Sequence, residues 1–307
     1  MFLGFDTSNY TTSVAFFDGE KIIQKKKLLE VKAGERGLRQ SDAVFQHTVN
    51  IPSLIQALTD VCDFNAVQAV AVSTRPRNVD GSYMPCFLVG EANAVSVSSV
   101  AKAPMYKTSH QVGHILAALY SIERLDLIHE PFVAFHVSGG RTEALLVTPD
   151  DEEIIRAELI AESTDLKAGQ AIDRAGVMMG LKFPCGVELD KLAQNSDKEF
   201  KIKPSMKELN CSLSGVENKA KKMFENHESN EDIAKFVISY IAETLSEMTE
   251  RILDKYGKMP IVFAGGVSSN SILKEKLGKK FNAYFAKPEF SCDNAAGVVI
   301  YAYLKSL

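Results

Sequence analysis

Hydrophobic and polar positions fall in blocks that predict short strands and longer helices in turn. Phe2 to Phe5 is an apolar run, followed by the polar turn Asp6 to Thr12 and a second β-prone run, Ser13 to Phe17, which together read as two strands joined by a hydroxyl-rich loop. Pro131 to Phe135, His136 to Thr142 and Glu143 to Val147 repeat that pattern. Each copy leads through an acidic turn into another β-prone run, Lys21 to Gln24 and Glu153 to Arg156, so the chain reads as an internal duplication. Between the copies, Val49, Ile51, Leu54, Ile55 and Leu58 have helical spacing within Thr48 to Cys62, and Ala69 to Ser73 is a buried-strand run. Gly90 to Val100 and Gly113 to Ile122 continue as helices. Later, Ile233, Phe236, Tyr240, Ile241, Leu245, Met248 and Ile252 share one face of Glu231 to Tyr256, which Gly257 stops before the strand Ile261 to Ala264. The alternation predicts an α/β fold of two lobes with a central cleft: residues 1–106, then 107–294, with a final helix, 295–307, packing back on the first lobe.

Composition narrows the function classes. At 307 residues and 46% hydrophobic content the chain can bury a full core. A net charge of −4 and a pI near 5.9 require any nucleic-acid partner to be met by a local basic surface. Candidates are Lys21, Lys25, Lys26, Lys27, Lys32, Arg36 and Arg39, and Lys219, Lys221 and Lys222; the alternative is ordinary solvated charge. Five scattered cysteines without a CxxC pair fit neither a disulfide framework nor a four-thiolate zinc site and point to a reducing compartment. The N-terminus lacks a basic and then apolar leader pattern, and no run approaches membrane-spanning length, so a cytoplasmic location is expected.

Three loops suit phosphate: Asp6, Thr7 and Ser8; Ser138, Gly139 and Gly140; and Gly265 and Gly266 ahead of Ser268 to Leu273. Glycine lets backbone approach an anion closely, and free N–H groups at a helix start supply positive partial charge. Each alone reads as a tight turn. In this order they resemble the superfamily of actin, heat-shock chaperones and sugar kinases, which implies a duplicated actin-like ATPase fold (ribonuclease H-like, ASKHA) holding a nucleotide between its lobes.

His110 and His114 lie four apart, so on a helix starting at Ser109 their imidazoles share a face and can bind one metal. Position 111 is Gln, which removes the general base a zinc peptidase of the HExxH type needs. Asp293 is either a third ligand or the N-cap of the last helix. Two histidines and a carboxylate with open positions suit Fe(II), and Zn(II) less distinctively.

The ordered series HQVGH, HVSGGRT, GQAIDRAG, LKFPCGVELDKLA, CSLSGVENKA, FAGGVSSN and SCDNAA resembles the TsaD/Gcp family, formerly called glycoprotease, over about the whole chain. The resemblance implies an acyltransferase that moves the threonylcarbamoyl group of threonylcarbamoyl-AMP to N6 of an adenosine beside the tRNA anticodon. It puts the metal ligands on His110, His114 and Asp293. It puts substrate contacts on His136, Val137, Ser138, Gly139, Gly140, Asp173, Gly186, Asp190 and Asn270. On these positions Asp173 or Asp190 could accept ribose hydroxyls and the SGG loop could hold phosphate, while the metal polarises the carbamoyl carbonyl. Taken without the resemblance, Asp173 and Asp190 read as solvated helix charges, Asn270 as a helix cap, and Ser212 and Ser214 as structural.

The first lobe departs from the family pattern. Thr7, Ser8, Asn9, Tyr10, Thr11 and Thr12 stand where the pattern has Thr-Ser-Cys-Asp-Glu-Thr, Arg75, Pro76 and Arg77 replace a Gly-Pro-Gly turn, and Asp42 precedes His47 where Glu is usual. Arg141 replaces the histidine of SGGH, and Gln170 the Glu of GEA. The arginines add positive charge near a phosphate or bridge carboxylates. These departures leave room for a paralogue with another acceptor, or for a non-catalytic subunit pairing with an active relative; a related accessory protein or a homodimer is the expected protein partner. A kinase or ATPase of the same superfold has no use for the histidine pair.

Overall fold

The computed structural model describes residues 1–8, 10–31 and 38–307. Asn9, Lys32 and Arg36 therefore lie outside the described residues.

Two five-stranded sheets carry the chain. The first orders β3 (Ile22–Leu28), β2 (Thr11–Phe17), β1 (Phe2–Ser8), β4 (Ala69–Arg75) and β5 (Met105–Ser109). In the second, β8 (Ile154–Glu162), β7 (Thr142–Asp150), β6 (Phe132–Val137), β11 (Ile261–Ala264) and β12 (Ala283–Phe285) follow the same order. In both, the first strand of the copy pairs antiparallel with the second and parallel with a later strand reached through helices: β1 with β2 and β4, β6 with β7 and β11. This repeated topology is the structural form of the duplicated hairpins.

The residues form two compact units. One comprises Met1–Glu130, Thr148–Ala157 and Glu289–Leu307, the other Pro131–Val147 and Glu158–Pro288. In the first unit, alternation along β1 sends side chains to opposite faces. Leu3 and Phe5 join the core under α1 (Gln40–Thr59) and α2 (Phe87–Ala101), while Gly4 faces α9 (Ala296–Leu304), where an added Cβ would come within 2.6 Å of Val299 N. The helix α9 lies on β1 and β4 and packs along α3 (His110–Ser121). Those contacts place the histidine pair in the first unit, although a boundary at residue 106 assigned it to the second lobe.

The second unit packs α4 (Ala168–Met178), α5 (Gly186–Gln194), α6 (Ser214–Glu225) and the long α7 (Asn230–Tyr256) around β6 and β11, with α8 (Ser271–Lys280) following β11. Phe135, Phe263 and Phe285 stack across β6, β11 and β12, with ring centroids 4.7 and 5.3 Å apart. A short hairpin, β9 (Ser205–Lys207) and β10 (Asn210–Ser212), precedes α6.

Helix α1 starts at Gln40 rather than Thr48, because its early turns bury Ala43 and His47 among polar neighbours that carry no apolar periodicity. Among the described residues no helix is long and apolar enough to cross a membrane.

Candidate functional site

The first unit brings His110, His114 and Asp293 together. Ser109 caps α3, its hydroxyl accepting from Val112 N at 3.2 Å, so the helix opens on His110 and repeats one turn later with His114 on the same face. The two Nε2 atoms are 2.9 Å apart, and Asp293 Oδ1 lies 3.1 Å from His114 Nε2 and 3.4 Å from His110 Nε2. Asp293 does not cap α9. Ala295 occupies the cap position and Asn294 Oδ1 accepts from Ala296 N at 2.9 Å, so the Asp293 carboxylate turns to the histidines. Two imidazole nitrogens and one carboxylate oxygen converging within 4.8 Å form a donor set that fits a divalent cation.

Asp6, at the buried end of β1, reaches the far side of this cluster. Its Oδ2 is 2.7 Å from His110 Nδ1, and its Oδ1 accepts from Ser73 Oγ at 2.6 Å. Burial disfavours charge on His110, but the Asp6 and Asp293 carboxylates outweigh it and push the imidazole up to about 10. Burial likewise opposes charge on Asp293, and its hydrogen bonds to His110 and His114 overcome that and hold the carboxyl far below the usual range. Neither Asp6 nor Ser73 carried a metal signal in the sequence: Asp6 opens a polar turn suited to phosphate, and Ser73 ends the buried-strand run from Ala69.

Asp6, Thr7 and Ser8 form the buried end of β1 and not an open phosphate loop. Thr7 Oγ1 is taken up by α2, donating to Cys86 O and accepting from Gly90 N, both at 3.0 Å. Tyr10 is 41% exposed, and Thr12 Oγ1 bonds His47 Nδ1 at 2.8 Å. Arg75 pairs with Glu153 at 3.2 Å and Arg141 with Glu143 at 2.9 Å, so both bridge carboxylates.

The second unit contains a cavity of about 320 Å³ lined by Ser138, Gly139, Asp173, Gly186, Asp190 and Asn270. Gly266, from the third loop suited to phosphate, and Gly169, Ile172, Pro184, Val187, Val267 and Ser269 complete its wall; all seven lie within the quoted motifs, and only Gly266 had a role assigned from the sequence. Of the remaining sequence candidates, Val137 is buried in the core, His136 is half-buried on β6 opposite Glu143, and Gly140 is exposed on the turn. None of these three lines the cavity.

Close backbone approach shapes the cavity floor. Ser138 N donates to Arg141 O at 2.8 Å to close the loop, and Gly169 N donates to Ser138 O at 3.1 Å. A Cβ on Gly169 would sit 2.5 Å from Gly139 N, and one on Gly265, whose φ is +98°, would overlap the Val137 carbonyl. Asp173 Oδ1 accepts from Cys185 N at 2.8 Å and so fixes the entry to α5. Asp190 accepts from Asn270 Nδ2 at 2.8 Å, Ser271 Oγ at 2.9 Å and Ser271 N at 3.2 Å, while Asn270 Oδ1 caps α8 by accepting from Leu273 N at 3.1 Å. Asp173 and Asp190 are thus hydrogen-bonded anchors of helix starts. Ser212 and Ser214 serve Asp165, to which Ser212 Oγ donates at 2.5 Å and Ser214 N at 3.2 Å.

Residues 21–299 match the family model described as TsaD, tRNA N6-adenosine threonylcarbamoyltransferase. A tRNA N6-adenosine threonylcarbamoyltransferase of Thermosipho africanus (strain TCF52B) is 30% identical over 316 residues, spanning 98% of this chain and 93% of the relative. Component A of (R)-2-hydroxyglutaryl-CoA dehydratase from Acidaminococcus fermentans matches with a TM-score of 0.56 at 14% identity, covering 99% of this chain and 98% of that one. A ROK hexokinase from Thermus thermophilus matches with a TM-score of 0.52 at 12% identity over 99% and 98%. At such identities these two structures speak to the fold alone, which is the duplicated actin-like ATPase fold.

Proposed function

The chain belongs to the TsaD family, and from that premise we propose that it is a tRNA N6-adenosine threonylcarbamoyltransferase whose metal is held by His110, His114 and Asp293 and whose donor, threonylcarbamoyl-AMP, occupies the cavity of the second unit. The observation that carries the metal assignment is the convergence of three donors, two from α3 and one from 179 residues further along the chain, on one point.

In this reading Ser138 and Gly139 present the β6–β7 loop to the adenylate phosphate, where the glycine leaves room for the anion. Asp173 and Asp190 face the ribose as hydrogen-bond acceptors, each held in place by the backbone N–H it already binds. Asn270 fixes Asp190 and the start of α8 together. His136, Val137 and Gly140 act through the backbone of the same loop, and Gly186 keeps the cavity wall low at the start of α5. The metal, when bound, supplies a Lewis acid able to polarise a carbonyl oxygen. The amine of adenosine N6 then forms the new C–N bond to the carbamoyl carbon, AMP departs with the electrons of the C–O bond, and the amine proton is lost to solvent. Fe(II) is preferred over Zn(II) on the donor set, since two histidines and one carboxylate leave positions open.

The lysines of β3, Lys25, Lys26 and Lys27, and those of α6, Lys219, Lys221 and Lys222, are exposed and supply the local positive charge that tRNA requires of an acidic protein. The workplace of such an enzyme is the cytoplasm, and a related accessory protein or a second copy is its protein partner.

The test is calorimetric titration of threonylcarbamoyl-AMP and of ATP into metal-loaded wild type and His114→Ala, with formation of modified adenosine in tRNA as the second readout. Adenylate binding with transfer to tRNA, lost without the metal ligand, is expected. Binding of ATP alone, or tight adenylate binding without transfer to any tRNA, would overturn the reading in favour of an ATPase or of another acceptor.

A further inference from the structure

We propose that Asp6 is the positioning residue of the metal centre: it fixes which nitrogen of His110 is presented to the metal and sets how tightly the ion is held. This rests on His110, His114 and Asp293 being the ligands.

The geometry is specific. Imidazole offers one lone-pair nitrogen when neutral, and the hydrogen bond made by the other nitrogen decides which one it is. Asp6 Oδ2 stands 2.7 Å from His110 Nδ1, on the side of the ring away from His114 and Asp293, which are approached through Nε2. A carboxylate can only accept there, so Nδ1 carries the proton and Nε2 is left to donate its lone pair. Asp6 is itself held. It is 1% exposed at the end of β1, and the fully buried Ser73 on the neighbouring β4 donates to its other oxygen at 2.6 Å. Strand pairing between β1 and β4 therefore sets the position of Asp6, and Asp6 sets the ring plane of His110. Neither residue touches the point where the three ligand atoms meet, which makes their effect one of orientation and basicity.

Asp6→Asn tests this at nearly constant volume. The amide presents either a neutral oxygen, a weaker acceptor, or an NH₂ group, which would force the proton to Nε2 and block it. Full-length wild type, Asp6→Asn, Ser73→Ala and His114→Ala are stripped with chelator, and Zn(II) affinity is measured by competition with a chromophoric chelator. The visible absorption of the Co(II)-loaded proteins provides a second readout that a purely structural defect does not move in a folded variant. Asp6→Asn is expected to bind about 10–100-fold more weakly, as loss of a partner behind a ligating histidine does elsewhere, with a shifted Co(II) spectrum. Ser73→Ala shifts affinity in the same direction by a smaller factor, and it decides the matter if Asp6→Asn does not fold. Wild-type affinity and spectrum in both variants, with His114→Ala defective, would overturn the role of Asp6. Wild-type affinity in His114→Ala would overturn the ligand set itself.

Discussion

Gly297 on α9 lies so close to Gly113 on α3 that a Cβ placed on it would overlap the Gly113 carbonyl oxygen and come within 2.6 Å of Ala117 N. Gly113 immediately precedes His114, and Gly297 lies near the start of α9, four residues after Asp293, so the crossing of these two helices sets how far His114 stands from Asp293. Gly297→Ala is expected to push the helices apart, costing about 1–3 kcal/mol of stability as overpacking does and weakening metal binding in parallel. Urea unfolding and metal titration on the same preparation check both.

Removing a ligand should act on the metal and leave the fold. His110→Ala, His114→Ala and Asp293→Ala are each expected to retain secondary structure by circular dichroism and to lose more metal affinity than the roughly 10–100-fold that a supporting residue contributes. Metal content after gel filtration reads the result. Retention of stoichiometric metal in any of the three would remove that residue from the ligand set.

Gly169→Ala separates loop geometry from helix stability. Alanine favours a helix over glycine by about 0.5–1 kcal/mol, yet its methyl would press on Gly139 N, 2.5 Å away. The expected outcome is a loop displaced from the cavity and at least about tenfold weaker adenylate binding, which corresponds to ~1.4 kcal/mol, with tRNA affinity unchanged.

Asp190→Asn weakens the acceptor that gathers Asn270 and Ser271 at the start of α8. A loss of about 1 kcal/mol in stability, in the range of a helix cap, should accompany weaker adenylate binding. Asn270→Ala should match it in stability, because Asn270 caps α8 directly.

Asp165 gives the acid side of the stability curve. Burial is the largest single influence and raises its carboxyl, but hydrogen bonds from Ser212, Leu213, Ser214 and Leu166 together prevail and hold it far below the usual range. A carboxyl lowered in the folded state stabilises it above the unfolded value, about 3.9, and that contribution fades as pH falls through the lower folded value. Asp165→Asn should therefore cost about 1 kcal/mol at neutral pH, the scale of a lost helix cap on a solvent-screened side chain. The gap from wild type should narrow steadily below pH ~4. Denaturant midpoints measured from pH 7 down to pH 2.5 would show a constant gap if the carboxylate were not responsible.

Much of this architecture was legible where apolar spacing and pairing coincide. The strand Ile261–Ala264 has the boundaries its apolar run gives it, and the duplicated hairpins became two sheets of identical strand order. Asn270 does cap α8, and His110 and His114 do share a face of α3, since both follow from local geometry. What stayed hidden depends on distant chain. Nothing near Asp293 in the sequence distinguishes a cap from a side chain turned to the histidines; Asn294 takes the capping bond to Ala296 N and leaves Asp293 beside His110 and His114. Asp6 read as the start of a phosphate-suited turn and Ser73 as the end of a buried strand because the partners that join them to His110 come from elsewhere in the unit. The start of α1 was missed for a related reason, as buried His47 and Asn50 hold their positions by hydrogen bonds to Thr12 instead of by hydrophobic spacing.

His110 and His114, the proposed imidazole donors, are four residues apart, and Asp293 is 179 residues from His114. During folding the two halves of the centre therefore belong to different moments. The histidine pair exists as soon as one turn of α3 forms, on the timescale of helix growth, whereas the carboxylate must wait for the closure of a very long loop. If α3 forms before α9 docks, the refolding chain can grip a metal with imidazole alone, weakly and reversibly, until the third donor arrives. Metal added during refolding would then act as a clock, its transition from loose to tight binding marking the instant at which α9 docks.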